Sequence, residues 1–406
     1  MRNMKKLLFV LTLLMPCSVL AQTESVIFNM LCNYPPPGPC NPQSDLILDR
    51  AGNLYGTTDD SGGISYGSVF QLEPASGGSW TLNTLWLFGG PPHDGELPAA
   101  GLTIDEKGNL YGTTSESGPG NYGIVFEVSP QSDGQWTESL PYYFDYGDSG
   151  GFPYGGLALY KGALYGTSTY GGADGAGTVF MLSPSTRGDW TATVIYNLTS
   201  SDGDEPKASL IADEGGNLYG TTAYGGANGG GTVFEVSPSS GGSWNARALH
   251  AFTGGLDGGN LYGSLAFDKS RNLYGTTYGG GEFGYGTVFE LIRGSDSRWT
   301  SKTIYSFTGS SDGGYPYAGP TLDSAGNVYG TTVNGGIGFT PGYGTVFELI
   351  PTGENWTEKT VYQFGTNDSD GINPYGSVVF DPAGNLYGTT YRGGTANLGT
   401  VFKIVP

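Results

Sequence analysis

The sequence predicts an all-β protein, a seven-bladed β-propeller of four-stranded blades, and three observations support this prediction. A motif that reads Asn-Leu-Tyr-Gly-Thr-Thr, then a glycine-rich loop, then Gly-Thr-Val-Phe recurs seven times with small variations. Its copies lie 54 to 58 residues apart, a period typical of propeller blades. The 73 glycines fall at fixed places in the repeat and aromatic residues make up 13% of the chain, so the glycines indicate turns and not disorder. The tyrosine of the motif is Tyr55, Tyr111, Tyr165, Tyr219, Tyr274, Tyr329 and Tyr387.

Each repeat begins with two predicted strands that are joined by a tight turn. The first is a short apolar stretch such as 209–212, which ends in an Asp-x-x-Gly-Asn turn such as 213–217. An aspartate can hydrogen-bond its own turn, and a glycine can adopt positive φ there. The third copy has the shorter turn Lys161-Gly162, so its hairpin loses one residue. Leu-Tyr-Gly-Thr-Thr is the second strand.

The third and fourth strands complete the blade. Gly-Thr-Val-Phe places β-branched and aromatic residues side by side, which favours a strand that is covered on both faces. The fourth strand opens with a tryptophan and reaches an aromatic position six residues later. The tryptophans are Trp80, Trp136, Trp190, Trp244, Trp299 and Trp356.

The two ends of the chain are expected to share the last blade. Only six copies carry a fourth strand after the third, and the sequence stops just after the seventh third strand. Residues 26–30 match the apolar and aromatic part of a fourth strand. We therefore expect the N-terminal strand to close the ring, which removes a free sheet edge. The alternative, an open solenoid, would need atypical repeats at its ends, and the terminal copies are ordinary.

The first 21 residues are predicted to be a signal peptide, and residues 22–406 a single propeller domain. Arg2, Lys5 and Lys6 precede a short apolar run, and Val19-Leu20-Ala21 is a suitable cleavage site. The predicted location is therefore secreted or periplasmic. No later apolar run approaches the length of a membrane span. The protein is also expected to be a monomer.

The net charge excludes some partners. The chain carries a formal charge of −20, and loss of the three basic residues of the signal peptide would make it more negative. This balance argues against nucleic acid or an anionic membrane as a partner. It is compatible with a solvated acidic surface or with cation binding.

Two cysteines, Cys32 and Cys40, would remain in the mature chain. They flank a proline-rich loop, and in an exported protein a disulfide is expected between them. A redox or metal role would need more ligands than they provide, since the chain contains two histidines in all.

The repeat resembles the GloVer (Gloeo/Verruco) tandem-repeat family of exported bacterial proteins. The resemblance rests on Asn-Leu-Tyr-Gly-Thr-Thr, the double glycine and Gly-Thr-Val-Phe, and it covers essentially the whole mature chain. It implies an exported protein but no settled biochemical activity. Family members are described with C-terminal surface anchors, whereas this sequence ends at Pro406 without one. The double glycine and the tryptophan also look like kelch repeats, a looser resemblance that concerns the fold alone.

Two sets of loops are expected to share one face of the propeller. They are the loops from the fourth strand to the next first strand, which carry an Asp-Gly pattern, and the loops between strands two and three, which carry tyrosines. Tyrosine offers a flat apolar ring with a polar tip, and aspartate accepts hydrogen bonds from hydroxyls. The candidate ligand-binding residues are Asp94, Asp148, Asp202, Asp257, Asp312, Asp370, Tyr170, Tyr224, Tyr278, Tyr391, His93 and Arg392.

The same residues also suit a structural role, because they recur from blade to blade. Asp-Gly forms turns, and the tyrosines can pack between blades. Aspartates and backbone carbonyls also suit Ca²⁺, which is the one cofactor that the sequence suggests. Other metal sites are unknown.

No catalytic residue is assigned. Gly147-Asp148-Ser149-Gly150-Gly151 matches a serine-hydrolase string, and residues 63–67 fit its shorter form. A nucleophile of that kind needs a strand-to-helix turn and a histidine in reach, so chance matches in a glycine-rich chain explain both. His250 occupies the aromatic position of the fourth strand and is interpreted as a packing residue.

Three functions remain open at this stage. The first is an exported, non-catalytic propeller that binds carbohydrate or another surface polymer through the Asp/Tyr face. The second is a carbohydrate hydrolase or lyase with carboxylates near the channel. The third is a protein-interaction scaffold.

Overall fold

A computed structural model describes residues 23–32, 38–61, 66–89, 94–185, 189–296, 298–336 and 342–405. The predicted signal peptide and His93 lie outside these ranges. Within them the protein is all-β, apart from a single 3-10 turn at Ser76–Gly78. No helix in these ranges is long and apolar enough to cross a membrane.

The described strands form seven four-stranded antiparallel sheets, which are the blades of a β-propeller. The prediction of the fold class is confirmed. The first strands are Ile47–Leu48, Thr103–Ile104, Ala158–Tyr160, Ile211–Ala212, Ala266–Phe267, Thr321–Leu322 and Val379–Phe380. The second strands are Leu54–Thr58, Leu110–Thr114, Ala163–Ser168, Leu218–Thr221, Leu273–Thr277, Val328–Thr332 and Leu386–Thr390. A short extra pair, Gly371–Ile372 with Arg392–Gly393, joins two loops.

The outer two strands are longer. The third strands are Ser68–Pro74, Ile124–Pro130, Thr178–Pro184, Thr232–Pro238, Thr287–Arg293, Thr345–Thr352 and Thr400–Val405. The fourth strands are Trp80–Leu87, Trp136–Tyr143, Trp190–Asn197, Trp244–Ala251, Trp299–Ser306, Asn355–Gln363 and, from the other end of the chain, Thr23–Asn29. We number the blades 1 to 7 in the order of their first strands.

Hydrogen bonds within the hairpin explain the first half of the repeat motif. In blade 4, Asp213 accepts bonds from the backbone of Gly215 (2.9 Å) and Asn217 (2.9 Å). It also accepts from the Asn217 side chain and, at 3.2 Å, from the Tyr219 hydroxyl. The aspartate therefore fixes the turn and also anchors the tyrosine of the second strand.

Packing explains the second half of the motif. Gly220 lies opposite the fully buried Phe234, and a Cβ on the glycine would come within 2.6 Å of the ring. The second and third strands are buried along almost their whole length, which confirms that the third strand is covered on both faces.

Contacts between blades reuse the same residues. The Thr221 hydroxyl donates to the backbone carbonyl of Gly263 in the next blade at 3.1 Å. The Tyr219 ring meets Trp299 of the next blade edge-on at 6.2 Å. Each core cluster thus draws its side chains from two adjacent blades.

The N-terminal strand closes the ring as predicted. Thr23–Asn29 pairs antiparallel with Thr400–Val405 and forms the outer edge of blade 7. Across the junction with blade 1, the Thr389 hydroxyl donates to the Ser44 carbonyl at 3.1 Å. Trp80 meets Tyr387 at 5.9 Å, so the contacts at this junction are those found between other blades.

Candidate functional site: the mouth of the central channel

The two predicted sets of loops lie on one face. In each blade, the loop that leads to the first strand pairs with the loop between strands two and three. Backbone bridges join Gly151 to Tyr170, and Asp204 to Tyr224, and the other blades repeat this contact. The loops therefore meet as the sequence predicted.

Most of the predicted aspartates are hydrogen-bonded inside their own loops. The Asp202 carboxylate accepts from the Tyr196 hydroxyl at 3.0 Å and from the Thr199 hydroxyl at 2.7 Å. Similar bonds to the preceding strand or loop are made by Asp257, Asp312 and Asp370. Asp94 accepts from the Gly89 backbone at 2.9 Å. These carboxylates stabilise the loop and the fourth strand, so their part in ligand binding stays a prediction.

Blade 3 departs from this pattern. Ser149 occupies the place of the aspartate, since it precedes the glycine that packs on strand two. Its hydroxyl donates to Asp145 at 2.5 Å, while Asp148 is exposed beside it. The described histidine, His250, lies in another blade and faces Asp257 at 3.3 Å. The described histidine is therefore not beside Ser149, and the interpretation of this string as a chance match stays a prediction.

The predicted tyrosines fall into two positions. Tyr278 and Tyr391 come directly after the second-strand threonines, whereas Tyr170 and Tyr224 come one residue later. Arg392 is exposed and lies over the Tyr391 ring at 5.7 Å.

A further set of residues, which the sequence reasoning missed, lines the channel itself. Each stands three residues before the buried apolar residue or proline that leads into a first strand. They are Gln43, Ala99, Tyr154, Lys207, Tyr262, Tyr317 and Tyr375, and they surround a cavity of about 220 Å³. Six of the seven follow a proline directly. An alignment of the repeats on this proline could have identified the channel position from the sequence.

Aromatic rings form a continuous arc around this cavity. Tyr262 stacks on Tyr317 at 5.0 Å, and Tyr317 meets Tyr375 edge-on at 5.4 Å. The loop residues extend it, because Tyr278 lies 5.5 Å from Tyr262 and Tyr391 lies 5.6 Å from Tyr375. We call the following set the tyrosine arc: Tyr154, Tyr224, Tyr262, Tyr278, Tyr317, Tyr375 and Tyr391.

Lys207 is embedded in this arc. Its ammonium lies 5.9, 6.0 and 5.5 Å from the ring centres of Tyr154, Tyr224 and Tyr262. It also forms an ion pair with Glu205 at 2.8 Å. The lysine is thus held by aromatic faces and by one carboxylate.

Blades 1 and 2 present a different wall: carboxylates stand in blade 1, and the small residues Ala99 and Ser115 in blade 2. Asp59 stands where Tyr278 and Tyr391 stand in their blades, and the Gln43 amide donates to it. Burial raises the pKa of Asp59 to about 6. Asp45 also lines the cavity and accepts from the Ser377 backbone at 2.6 Å, and burial raises its pKa as well. We call Asp45 and Asp59 the acidic wall.

The backbone that carries these rings is unusual in all seven blades. Six residues before each first strand, a residue that is not glycine has φ between 54° and 60°. The residues are Asn41, Leu97, Phe152, Glu205, Asn260, Tyr315 and Asn373. At Tyr315 the backbone N–H donates to the Tyr285 carbonyl of the preceding blade at 2.7 Å. Such a conformation persists only where its surroundings fix it, so the mouth is firmly positioned.

The predicted disulfide is present between Cys32 and Cys40, whose Cα atoms lie 5.5 Å apart. Cys40 also pairs with Asp60 through the backbone. These three are the one group of three metal-ligand side chains that the described residues bring together. The disulfide leaves no thiolate for a metal.

Calcium binding by the face aspartates stays a prediction. These aspartates lie in separate loops, one to a blade. If calcium bridges them, EDTA will lower the melting temperature and added Ca²⁺ will restore it. Identical melting with and without calcium would contradict this expectation.

Comparison with known proteins identifies the family. The family model of the Gloeobacter/Verrucomicrobia repeat matches residues 21–192, 137–338 and 295–406. The chain belongs to the Gloeobacter/Verrucomicrobia repeat family. The sequence-based resemblance is therefore confirmed, and no curated protein matches this repeat protein.

A solved structure shares the fold with this repeat protein. An ancestral GH74 enzyme aligns at 13% identity and a TM-score of 0.54, over 94% of this chain and 50% of the enzyme. The repeat protein thus spans about half the length of that enzyme. A provisionally assigned oxidoreductase (glucose dehydrogenase) from Thermus thermophilus aligns at 14% identity and a TM-score of 0.44, over 95% of this chain and 100% of the other. At these identities the likeness concerns the fold alone.

Proposed function

We propose that this repeat protein is an exported, non-catalytic propeller that binds carbohydrate or another surface polymer at the mouth of its channel. The observation that carries the proposal is the tyrosine arc. Sugars stack on flat aromatic rings through their C–H faces, while the tyrosine hydroxyls and nearby carboxylates can bond sugar hydroxyls.

The arc supports ligand binding better than the predicted aspartates do. Asp202 and its counterparts already accept hydrogen bonds within the loops. In contrast, Tyr154 and Tyr224 are 37% and 40% exposed, so their rings are open to a ligand at the channel mouth. A purely structural tyrosine would bury its ring in the blade core, as Tyr219 does.

The test is binding to a panel of polysaccharides and oligosaccharides. Replacing Tyr262 and Tyr317 by alanine removes the stacked pair at the centre of the arc. Binding is expected to weaken at least tenfold if a sugar ring gains as much from each tyrosine as a nucleic-acid base does, about 1–3 kcal/mol. Tyr143→Ala is the matched control, because Tyr143 is a partly exposed tyrosine on the outer strand of blade 2. Binding that survives the double substitution would contradict this location.

An enzyme is the second candidate, and the acidic wall is the observation that favours it. Asp45 and Asp59 line the same cavity, and a carboxyl group with a pKa of about 6, as for Asp59, can act as a general acid near neutral pH. Release of products from a polysaccharide, abolished by Asp59→Asn, would support this function. If neither binding nor turnover occurs and a protein partner is recovered, a scaffold role is favoured.

A further inference from the structure

The charges around the channel mouth are unbalanced. Among the described residues that line the cavity, Asp45 and Asp59 are acidic and Lys207 is basic. Lys207 is already paired with Glu205, so its charge is largely neutralised. Once Asp59 is ionised, an anionic ligand in this cavity would meet an excess of negative charge at short range.

Asp59 is the residue whose charge is least compensated. Gln43 bonds one of its carboxylate oxygens, and the Tyr391 hydroxyl is close enough to lower its pKa, although burial dominates and raises it. The other oxygen, Oδ1, is buried and has no hydrogen-bond partner in the described part of the chain. A positive charge brought into the adjacent cavity would therefore be stabilised there.

Aromatic faces suited to a cation lie beside this carboxylate. Tyr391 neighbours Asp59 and already carries the Arg392 guanidinium over its ring at 5.7 Å, while Tyr375 lies 5.6 Å from Tyr391. Tyrosine rings attract ammonium groups through their negative faces. The chain already uses the opposite side of the arc in this way, since Lys207 lies within 6.0 Å of three tyrosine rings.

We propose that the channel mouth prefers a glycan that carries protonated amino groups over neutral glycans and over glycans that carry carboxylates. A sugar ring would stack on Tyr375, which lines the cavity, and place its ammonium next to Asp59. The net charge of −20 adds long-range attraction for such a polymer and repulsion for polyuronates. This inference rests on the proposed function and specifies the chemical class of the ligand.

The experiment compares three oligosaccharides of equal length by calorimetry: oligomers of glucosamine, of N-acetylglucosamine and of galacturonic acid. The measurements are made at a pH of about 6.5, above the pKa of about 6 for Asp59 and below the usual pKa range of α-amino groups. The glucosamine oligomer is expected to bind about tenfold more tightly than the acetylated one at low salt, and this preference should shrink at high salt. The galacturonic acid oligomer should bind most weakly.

Two variants localise the effect. Asp59→Asn should remove most of the preference for the glucosamine oligomer, because it weakens binding of that oligomer more than binding of the acetylated one. Asp174→Asn is the matched control, because Asp174 is an exposed carboxylate in a loop of the same face and does not line the cavity. It should leave the preference unchanged.

The outcomes separate this inference from the proposed function. Equal binding of the amino and acetylated oligomers, or tightest binding of the uronate, would overturn the charge preference and keep glycan binding. A preference that survives Asp59→Asn would overturn the role of Asp59. No binding of any oligomer would overturn both.

Discussion

A single buried glycine shows how strictly the repeat is determined. A Cβ at Gly220 would lie 2.6 Å from Phe234 and 2.7 Å from Leu210, distances that real Cβ atoms do not adopt. Phe234 is fully buried and cannot move aside. We expect Gly220→Ala to lower the free energy of unfolding by about 1–3 kcal/mol because of overpacking. Chemical denaturation measures the change.

Gly215 provides the matched control for this substitution. It lies in the exposed turn before the second strand, where the corresponding residues in three other repeats are Ala51, Ala325 and Ala383. Gly215→Ala should change the free energy of unfolding by no more than about 0.5 kcal/mol. An equal loss from the two variants would mean that Phe234 does not restrict position 220.

The sequence allowed the fold to be predicted because the motif residues act over short distances. Asp213, Tyr219 and Gly220 each contact residues of their own blade, so seven copies of the same contacts appear as a repeat. The channel residues differ in this respect. Asp59 replaces a tyrosine found in other blades. It lines the same cavity as Tyr375 because the seven blades close into a propeller, and the spacing of the two residues in the sequence does not predict this proximity.

The predicted aspartates illustrate the same limit. Their recurrence was visible, and it could be read as either binding or structure. The structure shows that the hydroxyls of Tyr196, Tyr305 and Tyr362 on the fourth strands donate hydrogen bonds to these carboxylates. In blade 3, the sequence of the loop suggested that Asp148 corresponds to the loop aspartates of the other blades. In the structure Ser149 occupies that position.

At the scale of elements, the N-terminal strand joins the two ends of the chain in one blade. Thr23–Asn29 pairs along the whole of Thr400–Val405. A protein that begins at residue 30 would leave the edge of blade 7 unpaired. Its melting temperature should fall by more than about 5 °C relative to a protein that begins at residue 22, and light scattering should detect aggregation.

A synthetic peptide distinguishes loss of the strand from general damage. The segment 22–32, added to the shortened protein, should restore part of the melting temperature in proportion to its concentration. A peptide with the same composition in scrambled order serves as the control. Unchanged melting of the shortened protein would show that blade 7 does not need this strand.

The whole molecule combines a symmetric frame with an asymmetric mouth. The turns, the second and third strands and the threonine contacts repeat around the ring. The residues at the channel mouth vary from blade to blade, so tyrosines dominate blades 3 to 7 and carboxylates blade 1. Departures from a repeat can be tolerated where side chains face an open cavity, because no packing contact selects them.

The junctions between blades also carry carboxyl groups that favour the protonated form. Burial, with repulsion from Asp94, raises the pKa of Glu138 to about 9. Burial, with repulsion from Asp370, raises the pKa of Glu24 to about 7. Both values lie above the ordinary 4.5, so the folded protein holds protons that the unfolded chain releases. Stability should therefore fall as pH rises from about 4.5 to about 7 because of Glu24, and on to about 9 because of Glu138.

The turn aspartates set the opposite limit at low pH. Although burial acts to raise it, hydrogen bonds from Asn217 and Tyr219 keep the pKa of Asp213 below its ordinary value, and the same direction holds for Asp49 and Asp381. Their contribution is present above the unfolded pKa and is lost as pH falls through the folded one. Together the two groups predict maximal stability under mildly acidic conditions.

Melting temperatures measured from about pH 4 to pH 9 test this balance, since the groups concerned titrate across that range. Glu138→Gln should raise the melting temperature at alkaline pH and flatten its decline, because the amide carries no charge beside Asp94. Glu106→Gln is the control, since Glu106 is an exposed glutamate in a turn of blade 2. A Glu138→Gln variant whose melting temperature falls as steeply as that of the parent would show that the proton on Glu138 does not control alkaline stability.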